Sequence, residues 1–221
     1  NPQFNYYIGN SLIKTEMVAR DLGVFISNNC DTSPHVDKVS KKAHGVLSQI
    51  RRATVVRDSQ TVLKIYKAFV RPLIESSAPA WNPFKRGDVE VLERVQKRCL
   101  RMISDKRTTK RLSYEDRLEM HKIQSLECRR LRGDLLETFK YLNGFNDVDP
   151  GRLFSFVRER HSMETRSFTD NHLVNEKSSL NIRKFFFSNR VTHSWNSLPI
   201  DVRCAPSVNS FKNQYDKFIG L

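Results

Sequence analysis

Residues 88–103 read DVEVLERVQKRCLRMI. At about 100° per residue, Val91, Leu92, Val95, Cys99, Met102 and Ile103 gather on one side, and Arg94, Lys97, Arg98 and Arg101 on the other. Asp88 suits the N-terminal cap. This is a helix with one face for a core and one that suits either a phosphate backbone or plain solvation. Upstream, Ser33-Pro34 predicts a helix start, with a capping hydroxyl followed by proline in the first turn. Val36, Val39, Ala43, Val46, Leu47 and Ile50 then share a stripe, with Lys38, Lys41, Lys42 and Arg52 opposite. A second helix starts at Asp58 or Ser59. Its apolar arc, from Val62 to Ile74, is too wide for a surface helix and places it centrally, with Pro72 kinking or ending it.

Turn residues fill Ser76 to Arg86. Ser113 with Asp116 predicts a capping box for a helix to Met120, and Gln124–Leu142 a long helix stopped by Asn143-Gly144. Residues 147–180 read as irregular, with a short helix near Leu153. Asn181–Leu198 is apolar and basic, with Phe185 to Phe187 and Trp195 as core, and Ser207 starts the last helix. Before Ser33 the pattern is extended. Gly9-Asn10 predicts a hairpin turn, and Asp21–Ile26 a short buried strand whose Gly23 marks a bulge or close approach. The fold class is mainly α: a small N-terminal β-hairpin and strand element over 1–30, a helical bundle over 31–104 and a second helical unit over 105–221.

Charge sets the function classes. The 221 residues carry 38 Lys and Arg against 24 Asp and Glu, a net +14. Residues 34–133 hold 24 of the basic and 11 of the acidic residues, so this block carries nearly all the excess. Such self-repulsion favours a polyanionic partner, with nucleic acid ahead of an anionic membrane surface. The stripe Arg94, Lys97, Arg98 and Arg101 continues into a loop carrying Lys106, Arg107, Lys110 and Arg111. Glu90 and Glu93 give some pairing within the helix and cannot neutralise four cations. Lys38, Lys41, Lys42, Arg51 and Arg52 form a second basic group, open to phosphate contact or to plain solvation. Trp81 can stack on a base or cover a helix end. Arg129, Arg130 and Arg132 lie near Glu127 and Asp134, which suits local ion pairing.

Catalytic classes are thinly supported. No Asp-Asp pair occurs, so the carboxylates that hold Mg²⁺ for nucleotidyl transfer are missing. There is no phosphate-binding glycine loop, zinc-protease motif or nucleophile elbow. Cys30, Cys99, Cys128 and Cys204 are scattered and read as reduced core thiols. No apolar run reaches membrane-spanning length and no leader pattern is present, which together point to an intracellular protein, nuclear or cytoplasmic.

Several blocks, in order, resemble a known family. Tyr66–Glu75 (YKAFVRPLIE), Ala80–Pro83 (AWNP), Leu92–Arg98 (LERVQKR), Leu112–Leu118 (LSYEDRL), Glu127–Asp134 (ECRRLRGD), Asn181–Val191 (NIRKFFFSNRV) and Trp195–Pro199 (WNSLP) are similar to runs in jockey-like, LINE-type (non-LTR) retrotransposon reverse transcriptases. The resemblance implies that Asp21–Val24 ends the palm. It implies that the helices after Ser33 form the thumb, which grips template–primer through its backbone. It carries over no catalytic residue, because the family's Tyr-x-Asp-Asp motif is not in this sequence. No cofactor is expected in this chain, Mg²⁺ belonging to upstream polymerase domains. The expected function is therefore a non-catalytic C-terminal fragment of an RNA-directed DNA polymerase that binds template–primer without sequence preference. The alternatives are a helical protein-interaction module with a basic face, an unrelated enzyme, and a decayed element without function.

Overall fold

The computed structural model describes residues 4–54, 58–103, 112–157 and 171–220, and they are mainly helical. Strands β1 (Tyr7–Ile8) and β2 (Ser11–Leu12) pair antiparallel across the expected turn, where Gly9 has φ +58°. Strands β3 (Val18–Asp21) and β4 (Val24–Ser27) make a second hairpin, with Val18 opposite Ser27. Leu22 and Gly23, at φ 45° and 92°, form its two-residue turn. Gly23 is thus a turn residue and not a bulge. The strand expected to be buried is largely exposed, because it has one partner strand and only its Val24 is buried against the helices.

Helix α1 (Ser33–Ala53) buries Val36, Ala43, Leu47 and Ile50. Its N-cap is Thr32, which makes no side-chain cap bond, and not Ser33. The Ser33 hydroxyl instead lies 2.6 Å from Asp88 Oδ2 and 3.0 Å from Asp31 Oδ1. Asp58 caps α2 (Ser59–Ile65) by accepting Thr61 N–H at 2.8 Å. Ahead of Pro72 the helix slips register. Tyr66–Val70 is a π turn in which Arg71 N–H reaches Tyr66 O five residues back, and α3 (Arg71–Glu75) carries on. Proline offers no N–H, and one wide turn lets the chain pass it without stopping. A short α4 (Ala78–Trp81) precedes α5 (Arg86–Ile103), which begins two residues before Asp88 and keeps that carboxylate in its first turn.

The capping box of Ser113 and Asp116 opens α6 (Tyr114–Met120), with bonds of 3.0 and 2.8 Å. Ser125 caps α7 (Leu126–Leu142), and Gly144 at φ +69° follows its end. Beyond it lie a 3₁₀ turn (Pro150–Arg152), α8 (Asn181–Lys184), α9 (Phe187–Asn196), α10 (Ile200–Arg203) and α11 (Val208–Phe218).

Two cores result. The first joins α1 to α5 through Leu47, Tyr66, Ile74, Trp81 and Leu92, and takes in Leu126. The second gathers Leu135, Phe139, Phe187, Trp195 and Phe211. Helix α7 gives its first turn to one and its later turns to the other, so the cores meet inside it, downstream of residue 104. Of the Phe185–Phe187 run only Phe187 is core; Phe186 is exposed and Phe185 stacks on Phe84 with ring centroids 4.5 Å apart. Cys99 is the buried thiol, while Cys30, Cys128 and Cys204 are exposed, which corrects the reading of all four as core.

Candidate nucleic-acid interface

Helices α1 and α5 lie side by side and point the same way. Ser33 meets Asp88 at their N-terminal ends. About three turns further along each helix, Arg98 Nη1 lies 3.4 Å from His44 Nδ1, and Arg98 Nη2 donates to Ser48 Oγ at 3.1 Å. The cations of both helices therefore line one seam. On α5, Arg94, Arg98 and Arg101 fall within about 60° of arc, and on α1, Lys41, His44, Ser48, Arg51 and Arg52 within about 100°. Both arcs border the seam. Arg94, Arg101, Lys41, Arg51 and Arg52 are exposed, and Arg98 and Lys97 are half-buried. Lys97 Nζ covers the Tyr114 ring at 4.8 Å.

The neutralising carboxylates are largely turned away. Glu93 points inward, accepting Tyr114 O–H at 2.5 Å and Glu127 N–H at 2.9 Å. It balances none of the stripe, contrary to the pairing expected within the helix. Burial, then Glu93 beside it, pushes the Tyr114 hydroxyl's pKa up. Buried Gln96 fixes the same corner by accepting from Tyr66 O–H and donating to Tyr114 Oη and Gln124 O. Glu90 reaches Arg86 at 3.6 Å, and Asp37 pairs with Lys41 at 2.7 Å in an exposed contact. Among the described residues no ion pair involves Arg94, Arg98 or Arg101. His44 feels this field: burial first, then Arg98 and Arg94, lower its pKa.

The other predicted site residues divide. Lys38 and Lys42 are exposed but lie further round α1, and Lys38 Nζ sits 3.7 Å over the Phe25 ring, against the second hairpin. Lys106, Arg107, Lys110 and Arg111 lie outside the described residues. Trp81 is 1% exposed, its indole N–H donates to Ser76 O at 2.7 Å, and its ring lies 4.6 Å from that of His35. It covers a helix end inside the core and has no free face for a base. Two of the α7 arginines pair at long range and not locally, Arg129 with Glu75 and Arg132 with Asp216, while burial lowers the pKa of Arg130 against Glu93, Glu127, Glu75 and Asp134, which raise it. Sequence reasoning missed His44 and Ser48. His44 lies three residues after Lys41, Ser48 four after His44 and Arg51 three after Ser48, and that spacing on one helix was the available signal.

No cluster of three or more His, Cys, Asp or Glu with metal-holding geometry occurs among the described residues. No helix among them is long and apolar enough to cross a membrane. No family model matches the chain, and no solved structure matches it. The chain is similar to an uncharacterized protein of Caenorhabditis elegans, 25% identical over 131 residues. That alignment covers 58% of this chain and 66% of the worm protein, just under two thirds of its length.

Proposed function

We propose that this chain is a non-catalytic, nucleic-acid-gripping C-terminal part of an RNA-directed DNA polymerase of the non-LTR retrotransposon type. The supporting observation is the parallel α1–α5 seam, where cations from two helices converge and, among the described residues, no carboxylate pairs with the central arginines. Two rails of positive charge about one helix diameter apart suit the evenly spaced phosphates of a template–primer duplex. Contacts of this kind fix register and carry no base information, so binding is independent of sequence. Arg94 and Arg101 meet phosphate directly, while Arg98, steadied by His44 and Ser48, sits deeper between the rails. The blocks around Tyr66–Glu75 and Leu92–Arg98 lend the polymerase reading, because they build the central helices that carry the seam. In this reading Mg²⁺ and nucleotidyl transfer belong to upstream domains, and the compartment is the nucleus or cytoplasm.

A salt titration of a labelled RNA–DNA primer–template tests it. If Lys41, Arg51, Arg52, Arg94, Arg98 and Arg101 all engage phosphate, the log-affinity slope against log salt is about −5. A slope near zero, or tight binding to an acidic protein that nucleic acid does not displace, refutes the proposal.

A further inference from the structure

A pocket of about 190 Å³ lies between the π turn, α5 and the connection from α6 to α7. It is smaller than the roughly 300–1,000 Å³ of sites for drug-sized ligands, so its size suits a single small group. Four cations line it: Lys67 and Arg71 from the π turn and its exit, Lys122 from the connection and Arg129 from α7. None of its lining residues is acidic. Lys67 and Lys122 are exposed and Arg71 and Arg129 are half-buried, so all four keep accessible surface. The pocket is apart from the seam, because Gln96, which lines it, lies about 200° round α5 from both Arg94 and Arg98.

The charge there is not balanced. Glu75 is shared between Arg71 at 3.5 Å and Arg129 at 2.9 Å. Among the described residues neither Lys67 nor Lys122 has an ion pair. Buried Glu93 does not line the pocket and already accepts from Tyr114 O–H and Glu127 N–H. The polar floor is neutral: Tyr66 O–H donates to Gln96 Oε1 at 2.9 Å, and burial pushes the Tyr66 hydroxyl's pKa up, so it stays protonated. Two backbone departures place the cations. The π turn carries Lys67 and closes on Arg71, and Lys122 has φ 49°, a left-handed conformation that lysine seldom adopts. Wide turns and left-handed residues of this kind recur at ligand sites.

We propose that this pocket binds a terminal phosphate group, a monoester dianion, between Lys67, Arg71, Lys122 and Arg129. Such a group brings close to two negative charges and three strong acceptor oxygens to one centre. Four cations less one shared carboxylate leave the surplus that a dianion offsets, and its oxygens give each ammonium and guanidinium a charge-assisted partner. A diester inside a strand carries one charge and continues on both sides, which suits the open seam rather than a pocket this small. The site does not depend on the polymerase reading.

Methyl phosphate and dimethyl phosphate titrated into the full chain by calorimetry test the proposal. Methyl phosphate should bind about tenfold or more tighter than dimethyl phosphate. Lys67→Gln with Lys122→Gln should weaken it about tenfold or more, and since both side chains are exposed the melting temperature without ligand should change little. Lys177→Gln with Lys217→Gln removes the same charge from exposed positions outside the pocket and should leave the affinity within about twofold. A short oligonucleotide with a 5′-phosphate, set against its 5′-hydroxyl form, identifies the source. A gain of about tenfold that K67Q/K122Q abolishes assigns the group to a strand end, and methyl phosphate binding without that gain assigns it to a small phosphate compound. The proposal is overturned if methyl phosphate fails to bind, if dimethyl phosphate binds as well, or if K67Q/K122Q binds like the wild type. It is equally overturned if K177Q/K217Q weakens binding as much, since the general positive surface would then be the binder.

Discussion

Replacing Arg94 and Arg101 together with Gln separates a phosphate track from a solvated helix face. Both side chains are exposed, and among the described residues neither has an ion pair. Their loss should therefore leave stability within about 0.5 kcal/mol of wild type. Each phosphate contact contributes about 0.9 to the log–log salt slope, so raising salt from 50 to 200 mM weakens binding about 3.5-fold per contact. Six contacts predict a loss of about 2,000-fold over that range, and the double variant should lose only about 150-fold. Arg98→Gln makes a poorer probe, because it also removes the bonds to His44 and Ser48. Fluorescence anisotropy on two primer–templates of unrelated sequence gives both curves. Parallel curves for variant and wild type would refute the track, and a loss confined to one sequence would show base reading instead.

Asp134→Ala should destabilise by about 3–5 kcal/mol, since it strands the Arg190 guanidinium in the interior, whereas Lys41→Ala at the exposed pair should cost under about 1 kcal/mol. Thermal melts that shift equally for the two would contradict this ranking. Burial lowers the pKa of His35, His44 and His121 below the ordinary 6.5, so the unfolded chain binds their protons first. Stability should be fully present above that ordinary value and decline as pH falls through it. Denaturant midpoints at pH 7.5 and 5.5 check the sign, and His44→Gln should flatten the decline. Burial pushes the Cys99 thiol up to about 12, so a thiol reagent should modify Cys30, Cys128 and Cys204 quickly and Cys99 only on unfolding.

The long helices were legible because period and caps agreed, as at Ser113–Asp116 and Asn143-Gly144. The core stripe of α1 and the cationic stripe of α5 follow from spacing alone. Boundaries slipped where a partner distant in sequence took over a local role, as when Ser33 turned to Asp88 and left the cap to Thr32. The exposure of β3 and β4 was invisible because apolar strand residues announce burial whether or not a neighbour is present. The α7 arginines show the same limit: their charged partners lie 54 and 84 residues away, beyond any local rule. The shared direction of α1 and α5, which makes one seam of two stripes, is likewise a product of packing.

Helix α7 is anchored in two interiors without a break between them. It acts as a splint: the upstream bundle cannot swing against the downstream one without bending backbone whose hydrogen bonds run the length of the rod. The Arg129–Glu75 and Arg132–Asp216 pairs tie opposite neighbours to that rod only three residues apart. Reorientation of either half is therefore a torque on the other.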